Sequence, residues 1–361
     1  MYAAFGLWAM ASDYIVDFPT LGDLADAWIK HHCRVPDGFS RKKPFVEYDW
    51  QFWVTANHYR IREDAKWIPE RPLLNQAFTY RRSQVVAPQK TGKGPWSATI
   101  TALEAVGPSL FGGWAKAREV YDCADNGCSC GWTFAYEAGE PKGIRHPSPL
   151  IQLTATSQDQ VDNIYRPLTA MIHMGPLKEL MKVRENFIRI VGDSDDPDMD
   201  RIDAVTSSAP ARLGNPITFA FQDESGLYTK TNKMRRVAET QRRGAAGMGG
   251  RTIETTNAWD PGENSVAQTT FESKVPDIFK FFRQPPANLS FKNKRERHKI
   301  LEYVYEGSEH ITIASIEADA VELMEKDPEQ AERFYGNRLV QGLGSWLPPD
   351  LWEASKCKAS V

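Results

Sequence analysis

Residues 84–95 read Gln84-Val85-Val86-Ala87-Pro88-Gln89-Lys90-Thr91-Gly92-Lys93-Gly94-Pro95, an apolar run that stops at a Gly-Lys-Gly loop before a proline. A phosphate-binding loop of the pattern G-x-x-x-x-G-K-[ST] needs backbone N–H groups aimed at phosphate oxygens, a lysine for the terminal phosphates and a hydroxyl for Mg²⁺. Gly92 and Lys93 fit that pattern, whereas Ala87 replaces its first glycine and Gly94 its hydroxyl residue. The stretch alone therefore fits two interpretations, a phosphate-binding loop and an ordinary strand-to-helix turn.

The residues after this loop predict a helix. Pro95 suits the first helical position, and apolar residues follow at helical spacing up to the break at Gly107-Pro108. The N-terminus of such a helix points at the loop, which favours anion binding because its free N–H groups carry partial positive charge. The predicted helix therefore supports the phosphate-binding interpretation.

A second strand-like stretch, 217–221, runs through Gln222 into the adjacent carboxylates Asp223 and Glu224. An NTPase places such a pair opposite its phosphate loop, where one carboxylate holds Mg²⁺ and the next orients the attacking water. Strand-ending Asp-Glu pairs also simply begin turns, but this pair follows Lys93 by about 130 residues, with β-α units predicted between them. We therefore interpret the two stretches together as one nucleotide site.

A third predicted strand, 251–255, ends in the small polar residues Thr256 and Asn257. In open α/β sheets the ligand crevice lies at the carboxyl edge of the strands. Thr256 and Asn257 are therefore expected to join the same site.

Composition limits the class of protein. The chain has 361 residues, of which 41% are hydrophobic and 25% charged, which is typical of a soluble globular protein of one large domain or two. The formal net charge of −3 argues against a dedicated DNA-binding module with a net positive field. No run of eighteen apolar residues and no basic-then-apolar leader occurs, so we expect an intracellular protein.

Five cysteines in a chain of this length do not predict a disulfide framework. Cys123, Cys128 and Cys130 form a C-x₄-C-x-C cluster, with His146 as the nearest later histidine. A structural zinc site requires a fourth ligand and usually has C-x₂₋₄-C pairs. We therefore interpret the cluster as a reduced, glycine-rich hairpin, with a structural metal as the alternative.

The remaining stretches complete the predicted organisation. Helices are expected at 21–33, from Phe45 to Asp64, after the strand 150–156, and in the charged tail at 295–305, 316–326 and 328–340. A hairpin of 187–191 and 202–205 is expected around the acidic loop 193–200, which we interpret as a solvated turn and not as a calcium site. This pattern predicts four parts: a helical N-terminal segment 1–44, a core 45–285, a helical subdomain 286–344 and a linker-like end 345–361 that contains Trp346-Leu347-Pro348-Pro349.

In order and spacing, these stretches resemble the ATPase domain of the large terminase subunit of tailed bacteriophages, the motor that threads DNA into a preformed capsid. The resemblance covers nearly the whole chain. The matching motifs are Trp50-Gln51 for the adenine motif, 87–94 for a deviant phosphate loop, Phe221-Gln222-Asp223-Glu224 for the acidic motif and Thr255-Thr256-Asn257-Ala258 for the coupling motif. Residues 153–160 and 257–262 also look like stretches typical of these proteins.

The resemblance implies an α/β fold, a RecA-like P-loop NTPase core with a mainly parallel central sheet flanked by helices, and a small C-terminal helical lid. It also implies a role for each matching residue: Lys93 neutralises the β- and γ-phosphates, Asp223 holds Mg²⁺, Glu224 is the base, and Thr256 or Asn257 senses the γ-phosphate. The implied nucleotide-binding residues are Gln51, Gln89, Lys90, Thr91, Gly92, Lys93 and Gly94. Arg212, in Arg212-Leu213-Gly214, is similar to the family segment whose arginine reaches the neighbouring subunit's site.

The implied cofactors are ATP and Mg²⁺. The implied partners are double-stranded DNA, the portal protein, the small terminase subunit and further copies of the chain in a ring on the portal, in the host cell cytoplasm. Two departures matter. First, Gly94 lacks the hydroxyl that family members usually offer to Mg²⁺, so either water, Thr91 or Ser97 replaces that hydroxyl or nucleotide binding is weak. Second, the chain stops where the family's nuclease domain would begin. We therefore expect a chain that hydrolyses ATP without cutting DNA.

Two other functions compete with this one. A superfamily-2-like helicase or DNA translocase shares the core, but it would carry further arginine-bearing motifs in a second RecA-like domain, which we do not find in the sequence. A non-catalytic nucleotide-binding scaffold is the second alternative. A chain that no longer hydrolyses ATP could lack both the hydroxyl that Gly94 replaces and the nuclease domain. Measured ATPase activity distinguishes the scaffold from the motor.

Overall fold

The computed structural model describes residues 14–184, 187–191, 200–206 and 215–342. In these ranges the helices are α1 Gly22–His32, α2 Asp49–His58, α3 Lys93–Val106, α4 Gln158–Met174, α5 Leu177–Leu180, α6 Met234–Gly247, α7 Val266–Glu272, α8 Lys294–Val304, α9 Ile313–Met324 and α10 Pro328–Phe334. The strands are β1 Arg82–Val86, β2 Leu110–Trp114, β3 Val120–Asp122, β4 Thr133–Ala135, β5 Pro141–Ile144, β6 Leu150–Thr154, β7 Met181–Val183, β8 Phe187–Ile190, β9 Arg201–Val205, β10 Phe219–Gln222, β11 Arg251–Thr256 and β12 Ile278–Phe282.

The central sheet has eight strands in the order β12-β1-β11-β10-β6-β9-β8-β7. Neighbours from β12 to β9 run parallel, whereas β8 and β7 are antiparallel additions at one edge. The mainly parallel α/β fold predicted from the sequence is therefore confirmed. Because β1, β11 and β10 are parallel neighbours, their carboxyl ends lie side by side at one edge of the sheet.

Helices cover both faces of this sheet. Phe219 and Phe221 of β10 belong to the main apolar core, which α1 to α4 share, and Ala220 between them packs with Ala245 of α6. Successive side chains of a strand point to opposite faces, so α6 lies on the face opposite α3. Every residue of β6, β10 and β11 is buried, as expected for strands covered on both sides.

Several predicted elements differ from the observed ones at their boundaries. The helix expected from Phe45 to Asp64 is confined to α2, because it starts only after the extended residue Tyr48. Helix α3 begins at Lys93, two residues before Pro95, and Pro95 fits there because N–H groups of the first turn have no partner within the helix. The predicted hairpin is confirmed as the antiparallel pair β8 and β9, while 193–199 lie outside the described residues.

The helical tail forms its own apolar cluster. The helices α8, α9 and α10 pack around buried side chains that include Phe291, Ile300, Leu301, Ile316 and Ala331. We call residues 286–342 the lid, because this segment also contacts the loop after β1. The predicted linker-like end 345–361, with Trp346-Leu347-Pro348-Pro349, lies outside the described residues, as does the N-terminal stretch 1–13.

Sequence patterns did not predict β12 or the small sheet of β2 and β5, whereas the hairpin predicted around Cys123, Cys128 and Cys130 occurs as β3 and β4. β12 pairs with β1 at the edge of the central sheet, and the small sheets are the antiparallel pairs β2 with β5 and β3 with β4. Among the described helices, none combines the length and the apolar character that crossing a membrane requires.

Candidate active site

The loop 87–92 connects the end of β1 to the start of α3. It begins where Ala87 N donates to Thr256 O at 3.1 Å, so the loop leaves the sheet beside the end of β11. Lys90 and Gly92 have positive φ angles of 64° and 91°, which turn the chain tightly before the helix. Only glycine adopts such angles without steric cost, which explains the position of Gly92.

Lys93 is the buried cation of this loop. Its Nζ donates to Ala87 O at 2.7 Å, to Pro88 O at 2.7 Å and to Asn257 Oδ1 at 2.9 Å. Burial lowers the pKa of Lys93, and the charges of Glu224 and Asp223 oppose that shift. The ammonium group is thus held at the carboxyl edge of the sheet by three neutral oxygen acceptors.

Asp223 and Glu224 follow the last residue of β10, and Asp223 is buried whereas Glu224 is half-buried. Asp223 Oδ1 accepts a 2.6 Å hydrogen bond from Thr255 Oγ1 of the neighbouring strand β11. Burial raises the pKa of Asp223, while that bond and the charge of Lys93 lower it. Glu224 has a positive φ of 54°, a left-handed conformation that is costly for a side chain with a Cβ and is common at functional sites.

The pKa of the Glu224 carboxyl lies near neutral pH. Burial and then the charge of Asp223 raise its pKa to about 7, and the charge of Lys93 opposes the shift. A base works best when its pKa lies near the operating pH, because it is then both deprotonated often enough and basic enough to take a proton. Glu224 therefore has the electrostatic character of a general base.

Asn257 connects the cation to the base. Its Oδ1 accepts from Lys93 Nζ, and its Nδ2 lies 3.4 Å from Glu224 Oε2. Thr256 has a different position: its hydroxyl donates to Asn257 O at 2.8 Å and accepts from Gly226 N at 3.0 Å. Of the two predicted coupling residues, Asn257 thus contacts the charged groups, and Thr256 fixes the backbone that follows Glu224.

Gln51 and the lid border the loop from two sides. Gln51 Nε2 lies 3.4 Å from Gly92 O, while its Oε1 accepts from Tyr48 N at 3.0 Å, so the amide already bonds within the protein. From the lid, Tyr305 OH donates to Gln89 O at 2.8 Å. His310 Nε2 donates to Lys90 O at 2.9 Å, so lid and loop are directly connected.

Not every predicted nucleotide-binding residue points into the site. The Lys90 side chain is exposed and forms an ion pair with Asp319 of α9. Gln89 N donates to Phe334 O of the lid at 2.9 Å. Arg212, the predicted trans-acting residue, lies outside the described residues.

The structure explains the glycine at position 94. A Cβ placed on Gly94 would lie 2.6 Å from Asn163 O of α4, closer than non-bonded atoms approach, so α3 and α4 meet here only without a side chain. The two predicted replacement hydroxyls are both engaged, since Thr91 Oγ1 donates to Pro88 O at 3.0 Å and Ser97 Oγ donates to Lys93 O at 2.7 Å. The missing hydroxyl is therefore a consequence of helix packing.

Sequence reasoning missed Asn163 of this site and assigned no separate role to Thr255. The Asn163 side chain hydrogen-bonds to Asp223, and Thr255 does so from β11. Thr255 carried a signal, because it belongs to the predicted coupling motif Thr255-Thr256-Asn257-Ala258. Asn163 carried none, because only the packing of α4 against α3 brings it to the site.

Comparisons with known proteins find similarity to phage proteins. No family model matches the chain. The Gene 13 protein of Mycobacterium phage D29 is 27% identical over 200 residues, which cover 54% of this chain and 29% of that protein. The large terminase of bacteriophage HK97 aligns over 92% of this chain and 58% of its own chain, with a TM-score of 0.60 and 16% identity. A mutant ATPase domain of the Thermus phage P74-26 large terminase covers 73% of this chain and 90% of its own, with a TM-score of 0.42 and 11% identity.

The chain spans less than a third of the D29 protein and somewhat more than half of the HK97 terminase. Its fold is that of the HK97 large terminase. The predicted resemblance to phage large terminases is thereby confirmed at the level of the fold.

Proposed function

We propose that this chain is the ATP-hydrolysing motor domain of a phage large terminase and drives double-stranded DNA into a procapsid. The observation that carries the proposal is the meeting of Lys93, Asn257, Asp223 and Glu224 at the ends of three adjacent parallel strands. A buried cation, an acid pair and a polar residue between them are the groups that phosphoryl transfer requires. The fold shared with the HK97 large terminase supports the same assignment.

Lys93 would bind the β- and γ-phosphates of ATP. Its three present acceptors are neutral oxygens of Ala87, Pro88 and Asn257. An anionic phosphate oxygen forms a stronger, charge-assisted hydrogen bond and would replace one or more of them. Of the predicted nucleotide-binding residues, Thr91, Gly92 and Gly94 flank Lys93 and Gln51 lies beside Gly92, whereas the Lys90 side chain pairs with Asp319 of the lid.

The residues near Asp223 fit a magnesium ion. Carboxylate oxygens are the protein ligands that Mg²⁺ prefers, and this carboxyl is held in place by Thr255 and Asn163. Burial disfavours its ionised form, and a bound cation would favour that form again. Asp223 would hold the ion, which supplies charge neutralisation for the phosphate oxygens when it is bound. Because Gly94 offers no hydroxyl, Asp223 carries this role without help from the start of α3.

Glu224 would take a proton from the attacking water. Its pKa of about 7 lets a substantial fraction of the carboxyl be ionised at neutral pH. Asn257 touches both this base and Lys93, so a change at the phosphates would be transmitted to the base through one amide. We assign the sensing role to Asn257 and a supporting role to Thr256.

The wider assignments rest on the same proposal. The partners would be double-stranded DNA, the portal protein, the small terminase subunit and neighbouring copies in a ring on the portal, in the host cytoplasm. Arg212 would act on the neighbour's site. The core 45–285 would hold the nucleotide and the lid would couple its state to neighbouring parts, because Tyr305 and His310 contact the loop directly.

Nucleotide binding tests the proposal at its first step. We expect Lys93→Ala to abolish Mg²⁺-dependent binding of a fluorescent ATP analogue, because the phosphates lose their main charge-assisted contact. The matched control is Lys90→Ala, which removes an exposed lysine of the same loop and should bind within about threefold of the parent. Lys93→Met, which keeps the aliphatic stem, distinguishes loss of charge from loss of folding. If Lys93→Ala binds as tightly as the parent, the loop is an ordinary turn.

A further inference from the structure

A cluster of four potential metal ligands lies where the end of α1 meets the β3–β4 hairpin, among residues that the nucleotide site does not use. It consists of His32, Cys123, Cys128 and Cys130, whose ligand atoms all lie within 4.8 Å of one another. His32 Nε2 is 3.4 Å from Cys123 Sγ, 3.7 Å from Cys128 Sγ and 3.4 Å from Cys130 Sγ. We infer that these four side chains bind one zinc ion in a structural Cys₃His site.

The distances match tetrahedral zinc coordination. With Zn–S bonds of about 2.3 Å and Zn–N bonds of about 2.0 Å, a tetrahedral angle places sulfur and nitrogen about 3.5 Å apart. The three observed N···S distances, between 3.4 and 3.7 Å, bracket that value. Four ligand atoms this close together enclose a single ion and leave no room for a cluster of several metals. Thiolate with imidazole is also the ligand set that selects zinc.

The histidine is oriented as a ligand requires. His32 Nδ1 donates to Trp28 O at 2.9 Å one helical turn earlier, which fixes the tautomer and leaves the Nε2 lone pair facing the sulfurs. The ring stacks on Trp28 with 4.3 Å between centroids and meets Trp132 edge-on at 5.6 Å. A metal-binding histidine usually has such a second hydrogen bond, and here the ring is additionally fixed by two indoles.

The cysteine segment is shaped to present three sulfurs to one point. Gly127 and Gly131 flank the pair Cys128 and Cys130 with positive φ angles of 76° and 75°, which turn the chain on either side of it. Cys128 N donates to Cys123 O at 3.0 Å and closes the turn between the first two sulfurs. Three thiolates with Zn²⁺ carry one net negative charge, and the Arg145 guanidinium, which donates to Asn126 O at 3.1 Å, lies beside this segment.

The structure changes the interpretation made from spacing alone. The predicted hairpin does exist, as β3 and β4, and its cysteines are free thiols. The fourth ligand is not His146, which is absent from the cluster, but His32 from a helix 91 residues before Cys123. Cys123, Cys128 and His32 are buried, so the ion would be shielded from solvent on most sides.

A zinc ion here would tie α1 to the segment between α3 and β6. That segment is built from short two-stranded sheets, which have little core of their own and are marginally stable without further support. Binding requires the three thiols to release their protons to solvent, and its free energy adds to folding. The site therefore contributes stability and does not take part in hydrolysis.

Metal analysis of the purified full chain tests this inference. We expect about one equivalent of zinc per chain, and X-ray absorption at the zinc edge should show three sulfurs and one nitrogen. Cys123→Ser, Cys130→Ser and His32→Gln should each lower zinc retention after dialysis against a chelator by at least about tenfold. The matched controls are Cys33→Ala and His146→Gln, which remove a buried cysteine and a buried histidine outside the cluster and should keep their zinc.

Other outcomes would overturn the inference. Wild-type chain that binds less than about half an equivalent after exposure to zinc under reducing conditions has no such site. A disulfide between two of the three cysteines without metal, or a coordination shell that lacks nitrogen, also contradicts it. These readouts use the wild-type chain, so poor folding of a variant leaves the inference testable. Lys93→Ala should retain its zinc, which separates failure here from failure of the proposed ATPase.

Discussion

Single buried side chains support the helix that follows the loop 87–92, and Glu47 is one of them. It is buried and accepts hydrogen bonds from Thr55 Oγ1 at 2.5 Å and from Trp96 Nε1 of α3 at 2.7 Å. Burial raises its pKa to about 8, although both hydrogen bonds oppose the shift. No described residue hydrogen-bonds to the second oxygen, which suits a protonated carboxyl. Glu47 is therefore mainly neutral at pH 7 and supports α3 as a hydrogen-bond acceptor.

Glu47→Gln should change how stability depends on pH. The folded-state pKa is about 8 and the ordinary value is 4.5, so between these pH values the folded chain holds a proton that the unfolded chain lacks. The contribution of this group to the free energy of unfolding is thus fully present below pH 4.5. It is lost as the pH rises to 8, at about 1.4 kcal/mol per pH unit. The glutamine variant lacks this dependence.

Urea unfolding at two pH values measures the effect. Between pH values of about 5.5 and 7.5, the difference in unfolding free energy should move by about 2–3 kcal/mol in favour of Glu47→Gln, because other titrating groups cancel between the two chains. Glu63→Gln, at an exposed position, should follow the parent at both pH values. An equal response of all three chains would show that Glu47 is ionised in the folded state.

Residue patterns predicted the groups of the site that follow strand ends. Lys93, Asp223 and Glu224 stand in recognisable local contexts, and their chemistry follows from residue type. Glu47 and Asn163 have no such context, because their partners are brought to them by helix packing. The proximity of His32 to Cys123, Cys128 and Cys130 was not predicted for the same reason. The residues around His32 carry no signal for contact with cysteines that begin 91 residues later.

At the scale of elements, the contact between α3 and α4 determines the residue type at the start of α3, directly after the loop 87–92. Gly94 allows the two backbones to approach, and Asn163 at the contact also hydrogen-bonds to Asp223. A side chain at position 94 would therefore disturb the surroundings of Asp223. Helix packing and the position of the Asp223 carboxyl are therefore coupled through Asn163.

We expect Gly94→Ser to lower stability and not to improve magnesium affinity. Its Cβ would stand 2.6 Å from Asn163 O, so a backbone must shift, and overpacking of this kind costs about 1–3 kcal/mol. Gly247→Ala is the matched control, because Gly247 is also helical and nothing lies within 4 Å of its added Cβ. Thermal unfolding with and without Mg²⁺ and ATP measures both effects. A Gly94→Ser chain that is as stable as the parent and binds Mg²⁺ more tightly would contradict this account.

The sequence predicted whether an element is a helix or a strand where the periodicity of its apolar residues is strong. It did not predict the exact residues at which elements begin and end. Helices α1, α4 and α8 were expected close to where they occur, because their apolar spacing is regular. The edge strand β12 was missed because Ile278–Phe282 is nearly uniformly apolar and aromatic, a pattern that does not distinguish strand from helix. Its assignment depends on pairing with β1, which is a tertiary contact.

At the scale of the whole molecule, strand order creates the site. Along the chain the strands run β1, β6, β10, β11, but in the sheet β11 lies between β1 and β10. That order puts Asn257 between Lys93 and Glu224. The sequence predicted polar strand ends at one edge of a sheet, but it contains no local signal for which strands are neighbours. Strand neighbours are determined by how helices cross over and pack.

The central claim is that Glu224 activates water for ATP hydrolysis at this edge, and single-turnover hydrolysis tests it most directly. Hydrolysis is measured with the chain in saturating excess over ATP and with excess Mg²⁺ for the parent, for Glu224→Gln and for Glu239→Gln, an exposed glutamate of α6 as control. We predict that Glu224→Gln binds ATP within about twofold of the parent but hydrolyses it at least about 100-fold more slowly, because a lost general base typically costs this much. Hydrolysis by Glu224→Gln at the parent's rate, in a folded chain that binds ATP, would contradict the account.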